Sequence, residues 1–117
     1  MVNVNTRKKI NLDDVLNVML EPLLEPYTFT AEEFTEDNGT ITLWSNDLNL
    51  WGSGKNKEEA IKDLASEILG YAEDYYKEFD LWARGWRKAH IPYLTKALII
   101  NDVEKIGGLI ICHPGEI

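Results

Sequence analysis

The stretch between residues 37 and 61 decides the fold, and it reads DNGTITLWSNDLNLWGSGKNKEEAI. It opens on Asp37-Asn38-Gly39, which favours a tight hairpin turn because Asn and Gly accept the positive φ that such turns require. Apolar and polar residues then alternate with the period of two that is typical of a half-buried strand. We therefore predict strands over residues 40–45 and 48–51, separated by Asn46-Asp47.

The same stretch ends where a long helix begins. Asn56 is a suitable N-cap, and Glu59 stands at the capping-box position three residues later. Apolar residues then recur at spacings of three and four, as on one face of a helix. They are Ile61, Leu64, Ile68, Tyr71, Tyr75, Phe79 and Trp82. This spacing predicts one helix over residues 57–82, lying across the sheet, while Gly52-Ser53-Gly54 is expected to end the sheet and Gly85 the helix.

Shorter elements are predicted on both sides of this region. Alternation over residues 27–32 indicates a first strand, so that three antiparallel strands form a meander. Residues 11–20 have the Asn cap and the apolar spacing of an amphipathic helix, and a helix is also expected from about residue 92 to residue 100. Gly107-Gly108 then opens the apolar run 109–112, which is either a fourth strand or a tail that orders on a partner.

These elements predict an α+β fold. A three- to four-stranded antiparallel sheet is packed by one long helix, with short helices on either side. The 117 residues, 44% of them apolar, suit one ordinary domain, and no Gly-, Ser- or Pro-rich linker divides them. We expect a single domain over residues 1–117, with a core at 27–83, an N-terminal helix at 11–20, and a C-terminal helix and tail at 90–117.

The chain is acidic. Twenty acidic and twelve basic residues give a net charge of -8, which repels nucleic acid and attracts basic partners. Positive charge is concentrated only at Arg7-Lys8-Lys9 and at Arg84, Arg87 and Lys88. No apolar stretch resembles a secretory signal or a membrane span, and the single cysteine has no internal disulfide partner. We expect a cytoplasmic protein that does not bind membranes.

The sequence contains no pattern that predicts catalysis, a metal site or a cofactor. His90, His113 and Cys112 lack the paired spacing of zinc ligands, and His113 should point away from its neighbour Cys112 in an extended run. Asp63 and Glu67 share a helix face but lie beside a solvated stripe, whereas a nuclease needs converging carboxylates. We therefore expect no catalytic residue, no bound metal and no cofactor.

Two tryptophans are expected to face away from the core. Strand parity places Leu43 on the inward face and Trp44 on the opposite, polar face, and it places Trp51 on the polar face as well. Exposed aromatic side chains mark an interface when nothing covers them. The alternative is that the terminal segments pack over them.

The order of hairpin, third strand, glycine and capped helix resembles the HicB-like antitoxins of bacterial toxin–antitoxin systems. The residues that match are Asp37-Asn38-Gly39, Gly54-Lys55-Asn56, Glu58-Glu59-Ala60 and Tyr71-Ala72-Glu73-Asp74-Tyr75. The resemblance covers residues 27–79. The ends, including residues 86–93, are more similar to a RelB-like antitoxin group that shares this core.

The resemblance implies a partial RNase-H-like core without nuclease activity, which neutralises a small basic ribonuclease toxin by direct contact. The candidate partner-binding residues are Trp44, Trp51, Trp86, Leu109, Ile110 and Ile111. One alternative is a dimeric DNA-binding autoregulator whose basic residues contact phosphate, and another is a metal-dependent nuclease. Neither end is long enough to predict a separate DNA-binding module, so the sequence does not predict autoregulation through operator binding. It leaves a homodimer open.

Overall fold

A computed structural model describes residues 24–115. The helix expected at residues 11–20 lies outside the described residues. The elements, in chain order, are β1 (Thr30–Thr35), β2 (Ile41–Ser45), β3 (Leu50–Gly54), α1 (Lys57–Lys77), α2 (Phe79–Trp82), a 3₁₀ segment (Gly85–His90), α3 (Ile91–Ile100), α4 (Val103–Leu109) and β4 (Ile111–Pro114).

The four strands form one mixed sheet in the order β3-β2-β1-β4. The β1–β2 and β2–β3 pairs are antiparallel, as predicted. The fourth strand pairs parallel to β1, with Thr30 opposite Ile111, so the sheet is not antiparallel throughout. The reason is that the chain returns from β3 through helices, and such crossovers lead into parallel strands. The α+β class, with a sheet packed by a long helix, is confirmed.

The predicted hairpin turn is present, but the strand limits differ from those expected. Gly39 has φ +88°, and its N–H donates to the Glu36 carbonyl at 2.9 Å. The first strand begins at Thr30 rather than at residue 27. Residues 46–49 form a longer turn than expected, with Asn49 at φ +57°, so that β3 begins only at Leu50. Strand propensity does not mark these limits, because they depend on which residues find a partner in the sheet.

Two glycines that were expected to end the sheet lie inside β3. A Cβ on Gly52 would stand 2.5 Å from the Leu64 backbone nitrogen, and a Cβ on Gly54 would stand 2.5 Å from the Glu59 Cβ. The backbone of α1 therefore lies almost in contact with β3. Glycine is required here for close approach and not for a turn.

The long helix begins as predicted but ends earlier. Asn56 accepts a hydrogen bond from the Glu59 N–H at 2.9 Å, as an N-cap does. The helix stops at Lys77, because Glu78 has φ −126° and ψ 54°, and a separate turn, α2, follows. The apolar stripe continues across this break, since the Phe79 ring stacks on Tyr76 with centroids 5.4 Å apart. The helical spacing of the apolar residues therefore does not show that α1 ends at Lys77 and that α2 is a separate turn.

The glycine pair 107–108 belongs to a helix and does not open a strand. Asp102 caps α4 by accepting a hydrogen bond from the Lys105 N–H at 2.9 Å. A Cβ on Gly107 would stand 3.1 Å from the Ile61 Cγ2, so this glycine lets α4 pack closely on α1. The preceding helix, α3, agrees with its prediction and ends at Asn101, which is in the left-handed conformation.

The core lies between the sheet and the helices. Its buried apolar residues are Phe29, Ala31, Leu43, Leu48, Ala60, Leu64, Ala65, Ile68, Ala72, Tyr75, Leu94, Ala97, Ile106 and Ile110. They come from the strands and from α1, α3 and the segment around α4, so these elements share one apolar layer. Among the residues described, no helix is both long and apolar enough to cross a bilayer.

Candidate docking surface

The helices pack on one side of the sheet, and the opposite side, here called the outer face, carries a row of four side chains. The strand register places Trp51 opposite Trp44, Trp44 opposite Glu32, and Glu32 opposite His113. Leu43 is fully buried on the helix side, so the next residue, Trp44, projects outward. The prediction that both tryptophans lie on the polar face is confirmed.

Trp44 and Trp51 form a preordered aromatic pair. Their ring centroids are 4.3 Å apart and the rings are tilted by 33°. The N–H of Ser53 bonds to Asp63 on α1, so it points away from β2. Trp51, two residues earlier, therefore makes a non-hydrogen-bonded pair with Trp44, the type that brings side chains closest. Trp51 is 55% exposed and Trp44 is half-buried, so the apolar surface of the pair is presented mainly by Trp51.

A shallow groove lies beside Trp44, with a volume of about 410 Å³. Its lining residues are Thr30, Ala31, Glu32, Trp44, Asn46, Asp47, His113 and Pro114. Asp47 reaches this groove from the turn between β2 and β3, and its Oδ2 accepts a hydrogen bond from the Thr30 Oγ1 at 3.2 Å. The turn is thereby fastened to β1, and one wall of the groove is held in place.

The groove is acidic and lacks a cation of its own. Glu32 and Asp47 both line it, and no lysine or arginine is among its described lining residues. Within residues 24–115, the one ion pair joins Lys57 to Glu33 at 3.3 Å, and Glu33 belongs to the helix side of the sheet. The carboxylates of the groove are thus available to a positively charged partner.

Trp86 belongs to a different cluster, built on α1, α2 and the 3₁₀ segment. It is 63% exposed, and its ring meets that of His90 edge-on with centroids 5.3 Å apart. The Arg87 guanidinium lies 5.1 Å from the Trp82 ring and 5.2 Å from the Trp86 ring. Arg87, considered above as a phosphate contact, therefore makes cation–π contacts with two indole rings.

His90 is part of this cluster as a buried residue. Its Nδ1 lies 2.7 Å from the Tyr71 hydroxyl oxygen, and its side chain is 4% exposed. Burial lowers the pKa of His90, and the charge of Arg87 lowers it further, while Asp47 opposes both effects. The neutral imidazole is consequently the form that the fold favours.

Cys112 and His113 point to opposite sides of β4, as predicted. Cys112 pairs with Ala31 of the buried layer, whereas His113 lies on the outer face. Burial raises the pKa of the Cys112 thiol, which disfavours a thiolate. In the part of the chain that the structure describes, no three His, Cys, Asp or Glu side chains are arranged to hold a metal ion.

The three tail residues considered for partner binding have different surroundings. Ile111 is 48% exposed and lies on the outer face with the tryptophan pair, because Cys112 beside it faces inward. Ile110 is buried in the core. Leu109 is exposed but lines a separate cleft of about 490 Å³ with residues of α3, including Ile99.

Sequence reasoning missed three residues of this surface. The alternation along β1 indicates which face Glu32 lies on, but its position beside Trp44 depends on the register between β1 and β2. Asp47 reaches the groove from the tip of a turn, which no periodic pattern describes. His113 depends on the parallel pairing of β4 with β1, a long-range contact that leaves no local signal.

Comparison with known proteins gives two matches. A family model described as PHD-like, "Antitoxin of toxin-antitoxin, RelE / RelB, TA system", matches residues 2–112. Among solved structures, the chain is similar to the antitoxin part of a proposed toxin/antitoxin system from Syntrophomonas wolfei subsp. wolfei. The two share 31% sequence identity with a TM-score of 0.77, over 85% of this chain and 72% of that one. No curated protein matches the sequence.

Proposed function

We propose that this chain, which belongs to the PHD-like family of RelE/RelB antitoxins, neutralises a basic RelE-type toxin by binding it on the outer face of the sheet. The family match establishes that the protein is an antitoxin with a cognate toxin as its partner, and proteins of this family are typically not enzymes. The surface that binds the toxin, and the basic character of the toxin, belong to the proposal.

The observation that carries the proposal is the aromatic pair of Trp44, which is half-buried, and Trp51, which is exposed. The two indoles already lie against each other, so binding need not order them, and rigid aromatic anchors are common hot spots of protein interfaces. The carboxylates of Glu32 and Asp47 line the groove beside Trp44. An apolar centre with an acidic rim complements a basic partner, and the net charge of -8 steers such a partner toward the chain.

The tail supports this surface by forming a strand, which is one of the two alternatives predicted from the sequence. The apolar run was expected either to form a strand or to order on a partner, and its residues from Ile111 onward pair with β1 of the same chain. This pairing occupies the β1 edge of the sheet and brings Ile111 and His113 onto the outer face. The tail therefore extends the proposed surface as part of the sheet.

Binding of the toxin to tryptophan variants tests the proposal. The probe is the purified basic product of the reading frame that adjoins this one. Trp44→Ala and Trp51→Ala should each weaken binding by about 2 kcal/mol, or about thirtyfold. Trp86→Ala is the matched control, because it removes an indole that is at least as exposed but lies in the other cluster. Circular dichroism should show that each variant is folded.

Growth rescue by co-expression gives a second measure of neutralisation. Cells that produce the toxin should grow with the parent antitoxin or with Trp86→Ala, and should grow poorly with either sheet variant. If folded Trp44→Ala and Trp51→Ala bind and rescue as well as the parent, the outer face is not the toxin site. If only Trp86→Ala loses toxin binding and rescue, the toxin site lies on the cluster around Trp86 and Arg87.

A further inference from the structure

We infer that the groove beside Trp44 receives an arginine side chain of the toxin, with the guanidinium lying on the indole and bonded to the groove carboxylates. The inference rests on the proposed function, because it names the group that the outer face recognises. Its basis is the combination of an aromatic wall, two carboxylates and an open volume in one place.

The charge of the groove points to a cation. Glu32 belongs to β1, and Asp47 belongs to the turn between β2 and β3. Within the described residues, neither has a lysine or arginine partner. Glu33, which follows Glu32 directly, has such a partner in Lys57 on the other side of the sheet. Both carboxylates would attract a cation bound in the groove.

The aromatic wall favours arginine over lysine. The face of a tryptophan is the strongest aromatic site for a cation, and the planar guanidinium stacks on it while its N–H groups remain free to bond. The strand register sets Glu32 directly opposite Trp44. A guanidinium on the Trp44 ring thus has a carboxylate within reach in the next strand, and it can make charge-assisted bonds with fork geometry.

The protein itself shows that its indoles accept a guanidinium. Arg87 lies over the rings of Trp82 and Trp86 at 5.1 and 5.2 Å. In that cluster the arginine comes from the same chain, whereas the outer face presents the Trp44–Trp51 pair with carboxylates and no arginine among its described neighbours. Both surfaces present tryptophan rings, but among the described residues only the cluster around Trp82 and Trp86 holds an arginine.

The groove is also positioned before binding. The Thr30 hydroxyl donates to the Asp47 carboxylate at 3.2 Å, and the Trp51 ring lies against the Trp44 ring with centroids 4.3 Å apart. The volume of about 410 Å³ is ample for one long side chain. Little ordering is needed on the antitoxin side, so most of the interaction contributes to affinity.

Charge-neutral variants of near-identical shape test this recognition. Glu32→Gln and Asp47→Asn should each weaken binding of the purified toxin about tenfold at low salt, with a smaller effect at high salt. Glu73→Gln, an exposed position on α1 with the same change in net charge, should change binding less than twofold. This control separates a local contact from the general attraction between an acidic and a basic protein.

Double-mutant cycles identify the group that enters the groove. Each toxin arginine is changed to alanine and tested against Glu32→Gln and Trp44→Leu. One arginine should couple with both positions, so that the second change adds little to the first, and Arg→Lys at that position should recover only part of the binding. Coupling to a toxin lysine, or to no basic residue, would overturn the inference.

The outcomes separate this inference from the proposed function. If Trp44→Ala and Trp51→Ala weaken binding while Glu32→Gln and Asp47→Asn do not, the docking surface stands and the arginine site is wrong. If none of the four variants changes binding, both fail. If all four weaken binding and Glu73→Gln does not, both are supported.

Discussion

The carboxylate of Asp63 on α1 accepts a hydrogen bond from the backbone N–H of Ser53 on β3, at 2.9 Å. Ser53 lies on the free edge of the sheet, where unpaired N–H groups invite another strand. Asp63 occupies one of these groups with an acceptor from the same chain. A residue that could have been read as part of a nuclease site therefore fastens the long helix to the sheet edge.

Replacing Asp63 by alanine should lower the free energy of unfolding by about 1 kcal/mol, because a single solvated hydrogen bond is lost. Urea denaturation measures this change. Glu67→Ala, one turn further along the same exposed helix face, is the control and should change stability by less than about 0.5 kcal/mol. Equal stability of the two variants would show that the Ser53 bond has no net effect. Size-exclusion chromatography should also show whether the freed edge promotes self-association.

Alanine at Gly52 should destabilise the fold strongly. Its Cβ would stand 2.5 Å from the Leu64 backbone nitrogen, so α1 would have to move away from β3, at a cost of about 2 to 3 kcal/mol or more. Gly70→Ala gives the opposite case, because nothing lies within 4 Å of a Cβ there and Gly70 is in the middle of α1. It should raise stability by about 0.5 to 1 kcal/mol. Thermal melts of the two variants should shift in opposite directions.

The stability of the protein should fall as the pH drops below about 6.5, partly through His90. Its pKa is lowered by burial in the folded chain, so between the folded and unfolded pKa values the unfolded chain binds the extra proton. The stabilising contribution is complete above the unfolded pKa and is lost toward acid. His90→Gln should reduce the slope of melting temperature against pH between 7 and 5. Identical slopes for parent and variant would exclude this role.

Removing residues 111–117 should destabilise the fold as well as any toxin complex. The deletion removes β4, including the bonds from the Ile111 N–H to the Phe29 carbonyl at 2.8 Å and from the Gly115 N–H to the Glu33 carbonyl at 2.7 Å. We expect the free energy of unfolding, measured by urea denaturation, to fall by at least about 2 kcal/mol. His113→Ala keeps the strand backbone, so it should lower the free energy of unfolding by less than about 0.5 kcal/mol. A truncated chain as stable as the parent would show that β4 adds only binding surface.

The sequence was most informative where structure depends on neighbours along the chain. The Asn56 cap, the turn at Gly39 and the alternation of Leu43 and Trp44 all follow from a few adjacent residues, and each is present in the structure. The role of Gly52 was misinterpreted because the backbone that leaves no room for a side chain there belongs to α1, ten or more residues further along the chain. Likewise, the position of Ile111 depends on its pairing with Thr30, which is distant in the sequence. The docking groove depends both on local alternation along the strands and on such long-range pairing.

The parallel pairing of Thr30 with Ile111 has a consequence for the synthesis of the protein. The strands β1 to β3 are contiguous in the chain and can pair as they leave the ribosome, but β4 begins about 80 residues after the start of β1, the strand with which it pairs. Closing so long a loop is slow compared with forming the hairpins. We therefore expect the tryptophan pair to assemble early and the edge that carries His113 to be added last. A nascent chain would then display the aromatic part of the surface before the surface is complete.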